Sequence, residues 1–246
     1  MAASRSTSNG RREKSRSPAG RPRAGTVSVD TKDIINIFLF IPNLIGYSRV
    51  ILAGAALYFM SYHPNYCAVL YAVSCLLDAF DGWAARRFNQ STKFGAVLDM
   101  VTDRCTTACL LVFLSAVYSR WAVVFQILIS LDLASHYMHM YASLDAGATS
   151  HKKVTKERSW ILNLYYTNNK VLFTLCAANE ICFVALYLMS FPQYQTEAAV
   201  NWPTWVFQAT FLPCALKQYL NVLQMYKAAR TLAESDVLNR RAAKLN

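Results

Sequence analysis

LLDAFDGWAARRFNQSTKFGAVLDMVTDRC, residues 76–105, decides how this 246-residue chain folds. It carries four of the chain's nine aspartates, Asp78, Asp81, Asp99 and Asp103, in two largely apolar runs joined by a short polar turn. At ~100° per residue, Asp78, Asp81, Gly82, Ala85 and Arg86 share one ~140° sector of a helix. Gly95, Asp99 and Asp103, spaced four apart, make a second stripe on the next helix. The short turn makes the helices antiparallel neighbours, so the stripes can face each other. A carboxylate deep in a bilayer costs about 2.5–3.5 kcal/mol, and four without compensation would cost roughly 10–14 kcal/mol. Something must therefore neutralise them or keep them near the interface.

The rest of the chain supports a bilayer as the solvent. Hydrophobic residues make up 54% and charged residues only 16%, yet 25 Lys+Arg against 14 Asp+Glu leave a net charge of +11. Such a chain is greasier and more basic than an average soluble protein, which suits a multi-span membrane protein with basic loops. Disorder is excluded for most of it. A disulfide scaffold is excluded too, because the seven cysteines are odd in number, lack a C-x-x-C and lie in apolar stretches. They are expected to be small buried hydrophobes.

Six apolar stretches, near 41–60, 66–86, 95–118, 121–141, 170–190 and 204–226, are each about as long as a bilayer requires. The expected fold is an all-α integral membrane protein of six transmembrane helices. A short interfacial helix from Asp33 to Phe40 precedes them. Residues 1–32, rich in Ser, Arg, Gly and Pro, read as a disordered basic cytosolic tail, 33–230 as the membrane domain, and 231–246 as a cytosolic segment. The tail, the 87–94 turn, the 142–169 loop and the C-terminal segment hold nearly all the connecting Lys and Arg. The opposite connections, 61–65, 119–120 and 191–203, offer only Arg120. That asymmetry puts both termini in the cytosol. No nucleic-acid partner is expected.

Four carboxylates converging on a cytosol-facing pocket form an all-oxygen site for hard divalent cations, Mg²⁺ or Mn²⁺. No Cys/His set with zinc spacing competes. Two such ions suit phosphoryl transfer. Gly82 leaves room for a phosphate or nucleotide against the helix, and Arg86 can grip a phosphate with two parallel hydrogen bonds. The plainer alternative is a structural pair of helices whose acids are neutralised by Arg86, Arg87, Lys93 and Arg104. It leaves the fixed spacing of acids and glycines unexplained.

The pattern Asp78-x-x-Asp81-Gly82-x-x-Ala85-Arg86, eight residues, Gly95-x-x-x-Asp99-x-x-x-Asp103 resembles the complete signature of the CDP-alcohol phosphatidyltransferases. The resemblance implies a six-helix membrane enzyme, usually a homodimer, that displaces CMP from a CDP-linked donor with an alcohol. It implies that Asp78, Asp81, Asp99 and Asp103 hold two metal ions and that Asp103 also acts as general base. It further implies that Gly82, Arg86 and Thr92 contact the CDP-linked substrate; a helix N-cap is the other reading of Thr92. Beyond the signature, NIFLFIPNLIGYSRV (36–50), SLDLASHYMHMY (130–141), and YYT with LFTLCAANE within 165–180 resemble the branch of the family that takes CDP-diacylglycerol and free myo-inositol. Endoplasmic reticulum membrane is the location this implies. Pro42-Asn43 with Arg49 resembles the family's first-helix element and is expected to line the same cavity; Pro42 also reads simply as a helix-start residue.

Other polar residues are less specific. Asp132, Ser135, His136 and His139 share one face of the fourth span, either lining the acceptor cavity, ligating a metal, or forming an interhelical polar seam. His151-Lys152-Lys153 reads as solvated loop charge or a recruiter of anionic substrate or lipid. Asn179 and Glu180 suit packing or dimer contacts, and Tyr165, Tyr166, Trp202 and Trp205 headgroup anchors. Two rivals remain at this point: a family member with another acceptor (glycerol 3-phosphate, serine or choline), and an ion-coupled transporter using the aspartates as a relay.

Overall fold

A computed structural model describes residues 31–148, 169–195 and 201–244. The tail through residue 30 and the 149–168 loop, with His151, Lys152, Lys153, Lys156, Arg158, Tyr165 and Tyr166, lie outside the described residues. Every regular element among the described residues is helical. A short helix α1 (Thr31–Phe38) leads into α2 (Ile41–Phe59), and α3 (Pro64–Arg87) and α4 (Lys93–Val117) carry the aspartates. After a single 3-10 turn, Ser119–Trp121, come α5 (Ala122–Ala148), α6 (Asn169–Met189) and α7 (Trp202–Ala243).

The boundaries have local causes. Pro42, Pro64 and Pro203 sit in the first turns of α2, α3 and α7, where a missing N–H costs nothing. Pro42 is thus a helix-start residue, and it also lines the cavity described below. Helix α3 ends where Asn89 adopts a left-handed backbone (φ 55°), and Gln90 N–H returns to the Ala85 carbonyl (2.9 Å). Thr92 then starts α4, its hydroxyl oxygen accepting from Gly95 N–H at 3.0 Å. This N-cap bears out the capping reading of Thr92.

Helices α3, α4, α5 and α6 are long and apolar enough to cross a bilayer, and α1 with α2, bent by 56°, makes a fifth such unit. Helix α7 is longer, 42 residues, but more polar. It runs unbroken past residue 230, as far as Ala243.

Helix α2 packs along α3 and reaches α4; α5 joins α4 to α7, and α6 lies against α7 with an edge toward α3 and α4. One end of this arrangement is an apolar plug of Met60, Cys67, Tyr71, Leu110, Leu111, Leu114, Phe183 and Tyr187. Its few polar atoms are satisfied: Tyr187 donates to the Met60 carbonyl (2.7 Å) and Tyr118 to the Leu186 carbonyl (3.0 Å). All seven cysteines are free. Only Cys67, Cys182 and Cys214 are buried, however; Cys75, Cys105 and Cys109 face outward, where a surrounding apolar solvent accepts a thiol as readily as a core does. The acids occupy the opposite end of α3 and α4, beside the 88–92 turn.

Candidate active site

The last turns of α3 present Asp78 and Asp81, and the first turns of α4 present Asp99 and Asp103. The two stripes do face each other. Oxygens of Asp78, Asp99 and Asp103 come within 4.8 Å of one another, a spacing at which one ion can be shared. The donors are all carboxylate oxygens, and their side chains remain 33–43% exposed, so the group fits a hard divalent cation. Asp81 stands slightly apart and deeper, at 11% exposed.

The cation that neutralises these acids comes from α2. Arg49 is the only charged residue in the first long helix, and its side chain is 2% exposed. Its Nη1 lies 2.6 Å from Asp81 Oδ2 and 2.6 Å from Asp99 Oδ1; its Nη2 lies 2.9 Å from Asp78 Oδ1 and also pairs with Asp103 Oδ1. One guanidinium therefore touches all four aspartates. Of the four cations expected under the structural alternative, only Arg104 reaches the cluster, 3.4 Å from Asp103 Oδ2. Arg86 has no carboxylate partner among the described residues.

Beside the acids lies a cavity of about 210 Å³, lined by Asn43, Asp81, Gly82, Arg86, Thr92, Gly95 and Asp99 among others. Gly82, Arg86 and Thr92 thus line the same cavity. A Cβ on Gly82 would meet the Arg86 guanidinium at 3.5 Å, so the bare backbone and the arginine head border the same space. Gly95 has a different reason to be glycine. A Cβ there would fall 2.6 Å from Asn43 Oδ1 and 3.1 Å from Thr92 Oγ1, so α2 and α4 approach this closely only without it. Asn43 is 1% exposed; its Nδ2 donates to the Ile37 carbonyl (2.6 Å), while its Oδ1 has no partner among the described residues.

Asp132 is the centre of an interhelical polar seam. Arg104 Nη1 bonds both Asp132 oxygens (2.8 and 3.0 Å), Asn221 Nδ2 reaches the same carboxylate (3.3 Å), and Lys217, 3% exposed, donates to Asn221 Oδ1 at 2.5 Å. Ser135 and His136 bond back to the Asp132 carbonyl. Lys217 and Asn221 were not visible as members of this seam in the sequence, although a lysine within an apolar run demands a polar partner. Glu180 serves packing: it accepts from Tyr71 (2.6 Å), Thr107 (3.1 Å) and Asn179 (3.2 Å), tying α6 to α3 and α4.

A bundle of long apolar helices with paired carboxylates and an arginine bordering one cavity at one end is the architecture of a membrane-embedded group-transfer enzyme. The family model for CDP-alcohol phosphatidyltransferase matches residues 39–210, and the chain belongs to that family. It is similar to the CDP-diacylglycerol–inositol 3-phosphatidyltransferase of Schizosaccharomyces pombe, at 55% identity over 85% of this chain and 95% of the relative. The proteins of the same name from Saccharomyces cerevisiae (48% identity, 83% of this chain and 90% of the relative) and Homo sapiens (44%, 83% and 96%) are also similar. No solved structure matches.

Proposed function

We propose that the chain transfers the phosphatidyl group of CDP-diacylglycerol to free myo-inositol, releasing phosphatidylinositol and CMP. The observation that carries the reaction type is the convergence of Asp78, Asp81, Asp99 and Asp103 beside a cavity bordered by Gly82 and Arg86. The choice of inositol rests on the named relatives, each matched over nine-tenths or more of its own length.

Asp78, Asp99 and Asp103, with Asp81 completing the set, would hold two Mg²⁺ or Mn²⁺ ions. When bound, these supply charge neutralisation of the pyrophosphate and of the departing CMP oxygen. Arg86 pairs with a phosphate of the donor, and the bare face of Gly82 lets that phosphate lie against α3. Thr92 caps α4 through its oxygen and keeps its hydroxyl proton for the same substrate. Asp103 takes the proton of an inositol hydroxyl as that oxygen attacks the phosphorus carrying the lipid. A new P–O bond forms to inositol, the P–O bond to CMP breaks, and CMP leaves with the electron pair. The donor's acyl chains stay among lipid while inositol and CMP exchange with water.

Around this chemistry we infer six spans, with α7 as the sixth and α1 as an interfacial helix. The remainder of the arrangement is a homodimer in the endoplasmic reticulum membrane, with residues 1–32 and the C-terminus on the cytosolic side. Purified protein given CDP-diacylglycerol, Mn²⁺ and labelled acceptors is expected to make lipid from myo-inositol and little from serine, choline or glycerol 3-phosphate. Preference for one of those three would reassign the acceptor, and no CMP release with any alcohol would remove the transferase reading.

A further inference from the structure

Arg49 is more than a plug for unpaired charge. Each of the four aspartates gives it one oxygen: Asp78 Oδ1, Asp81 Oδ2, Asp99 Oδ1 and Asp103 Oδ1. Each therefore keeps a second oxygen, that of Asp103 lying 3.4 Å from Arg104 Nη2. The guanidinium is almost wholly buried, whereas Asp78, Asp99 and Asp103 are a third or more exposed, so Arg49 lies on the inner side of the acids and the exposed side remains accessible. Ser74 on α3 donates to the Arg49 carbonyl (3.2 Å), fixing the backbone from which the side chain extends.

We propose that Arg49 is the positioning residue of the cation site: it stays in place when cations bind, orienting the four carboxylates through one oxygen each while the other oxygens take the metal. Two arguments favour this over a guanidinium that leaves. An arginine expelled from the cluster would need another anion inside an apolar helix bundle, and stripping a buried charge of its partners is strongly unfavourable. The charge count also works in its favour. Four carboxylates and two divalent cations cancel, so Arg49 adds its positive charge to that of Arg86 at the cavity wall and makes the loaded site more attractive to an anionic pyrophosphate. The planar fork matters because one ammonium cannot span four carboxylates in the same geometry. Outer partners of metal ligands act in this way generally, and their loss weakens metal binding by roughly 10–100-fold.

The inference rests on the reading of the aspartates as a cation site, and the test separates the two. Mn²⁺ binding to detergent-purified protein without substrate, followed by the electron paramagnetic resonance of free Mn²⁺, is compared for wild type, Arg49→Met and Arg49→Lys. Circular dichroism and size exclusion select the folded fraction. Arg49→Met is expected to weaken Mn²⁺ binding by about 10–100-fold, with Arg49→Lys between it and wild type. Unchanged binding in folded Arg49→Met would make the residue merely structural, and tighter binding would make it a competitor of the metal; either overturns the proposal. Should Arg49→Met yield no folded protein, Arg49→Lys decides alone, with unchanged or tighter binding the contrary result. Absence of Mn²⁺ binding to wild type would remove the cation site itself, and this inference with it.

Discussion

The four aspartates were legible because charge in an apolar helix is conspicuous and helical spacing is simple arithmetic. Arg49 was directed toward the cavity only by its place in the family's first-helix element. That it touches every aspartate was hidden, because which helix lies behind α3 and α4 depends on packing distant in sequence. Among the acids, Asp103 occupies a distinct position. Its Oδ1 faces Arg49, and its Oδ2 faces Arg104, which Asp132 in turn holds. Asp103→Asn keeps shape and one oxygen but loses the proton acceptor. Inositol incorporation is expected to fall by at least ~10²–10⁴-fold, with CDP-diacylglycerol binding reduced far less. Both are measured on the same purified variant. Near-normal incorporation would exclude Asp103 as base, and parallel loss of both would leave it a metal ligand only.

Between elements, the approach of α2 to α4 governs whether the site exists. It depends on Gly95, whose absent Cβ leaves the space that Asn43 Oδ1 fills. The spacing of Gly95 from Asp99 marked it as part of a pattern, but the physical reason is a contact 52 positions away. Only a folded α2 reveals it. The same asymmetry runs through the other elements. Helix starts at Pro42, Pro64 and Thr92 could be read locally, whereas the full length of α7 could not, since its later half lacks an apolar stripe and is supported by local pairs such as Arg230–Glu234 (2.8 Å). Gly95→Ala is expected to destabilise the protein by about 1–3 kcal/mol, the usual range for overpacking. Thermal unfolding in detergent measures this. Adding Asn43→Ala removes the clashing oxygen, so the double variant should be more stable than the sum of the single losses. Strict additivity would mean that the two residues do not meet.

At the scale of the whole molecule, the open matter is whether α7 crosses the bilayer, because it is the long helix most burdened with polar residues. Their placement supports a crossing. Lys217, Asn221 and Gln224 are buried within the bundle, and Lys217, Gln218 and Asn221 find partners there, so the helix turns its polar groups away from lipid. Outward it shows Phe211, Leu212, Leu216, Tyr219 and Val222. Hydropathy summed along the chain mixes these two faces, which is why composition understates the fitness of α7 as a span. At about 1.5 Å per residue its 42 residues extend roughly 63 Å, twice the ~30 Å hydrocarbon core. If α7 crosses, half of the helix projects into water, and the charged residues from Lys227 onward suit that half. Between the 88–92 turn and the C-terminus lie α4, α5, α6 and α7. If all four cross, the turn and the C-terminus share a side; if α7 does not, they lie on opposite sides. Protease-cleavable tags placed in the 88–92 turn, beside Arg120 and after Asn246 in sealed vesicles distinguish these arrangements. The first and third are expected to be cut from one side and the second from the other. Cleavage of the C-terminal tag from the Arg120 side would reduce α7 to a surface helix, at odds with the burial of Lys217 and Asn221 within the bundle.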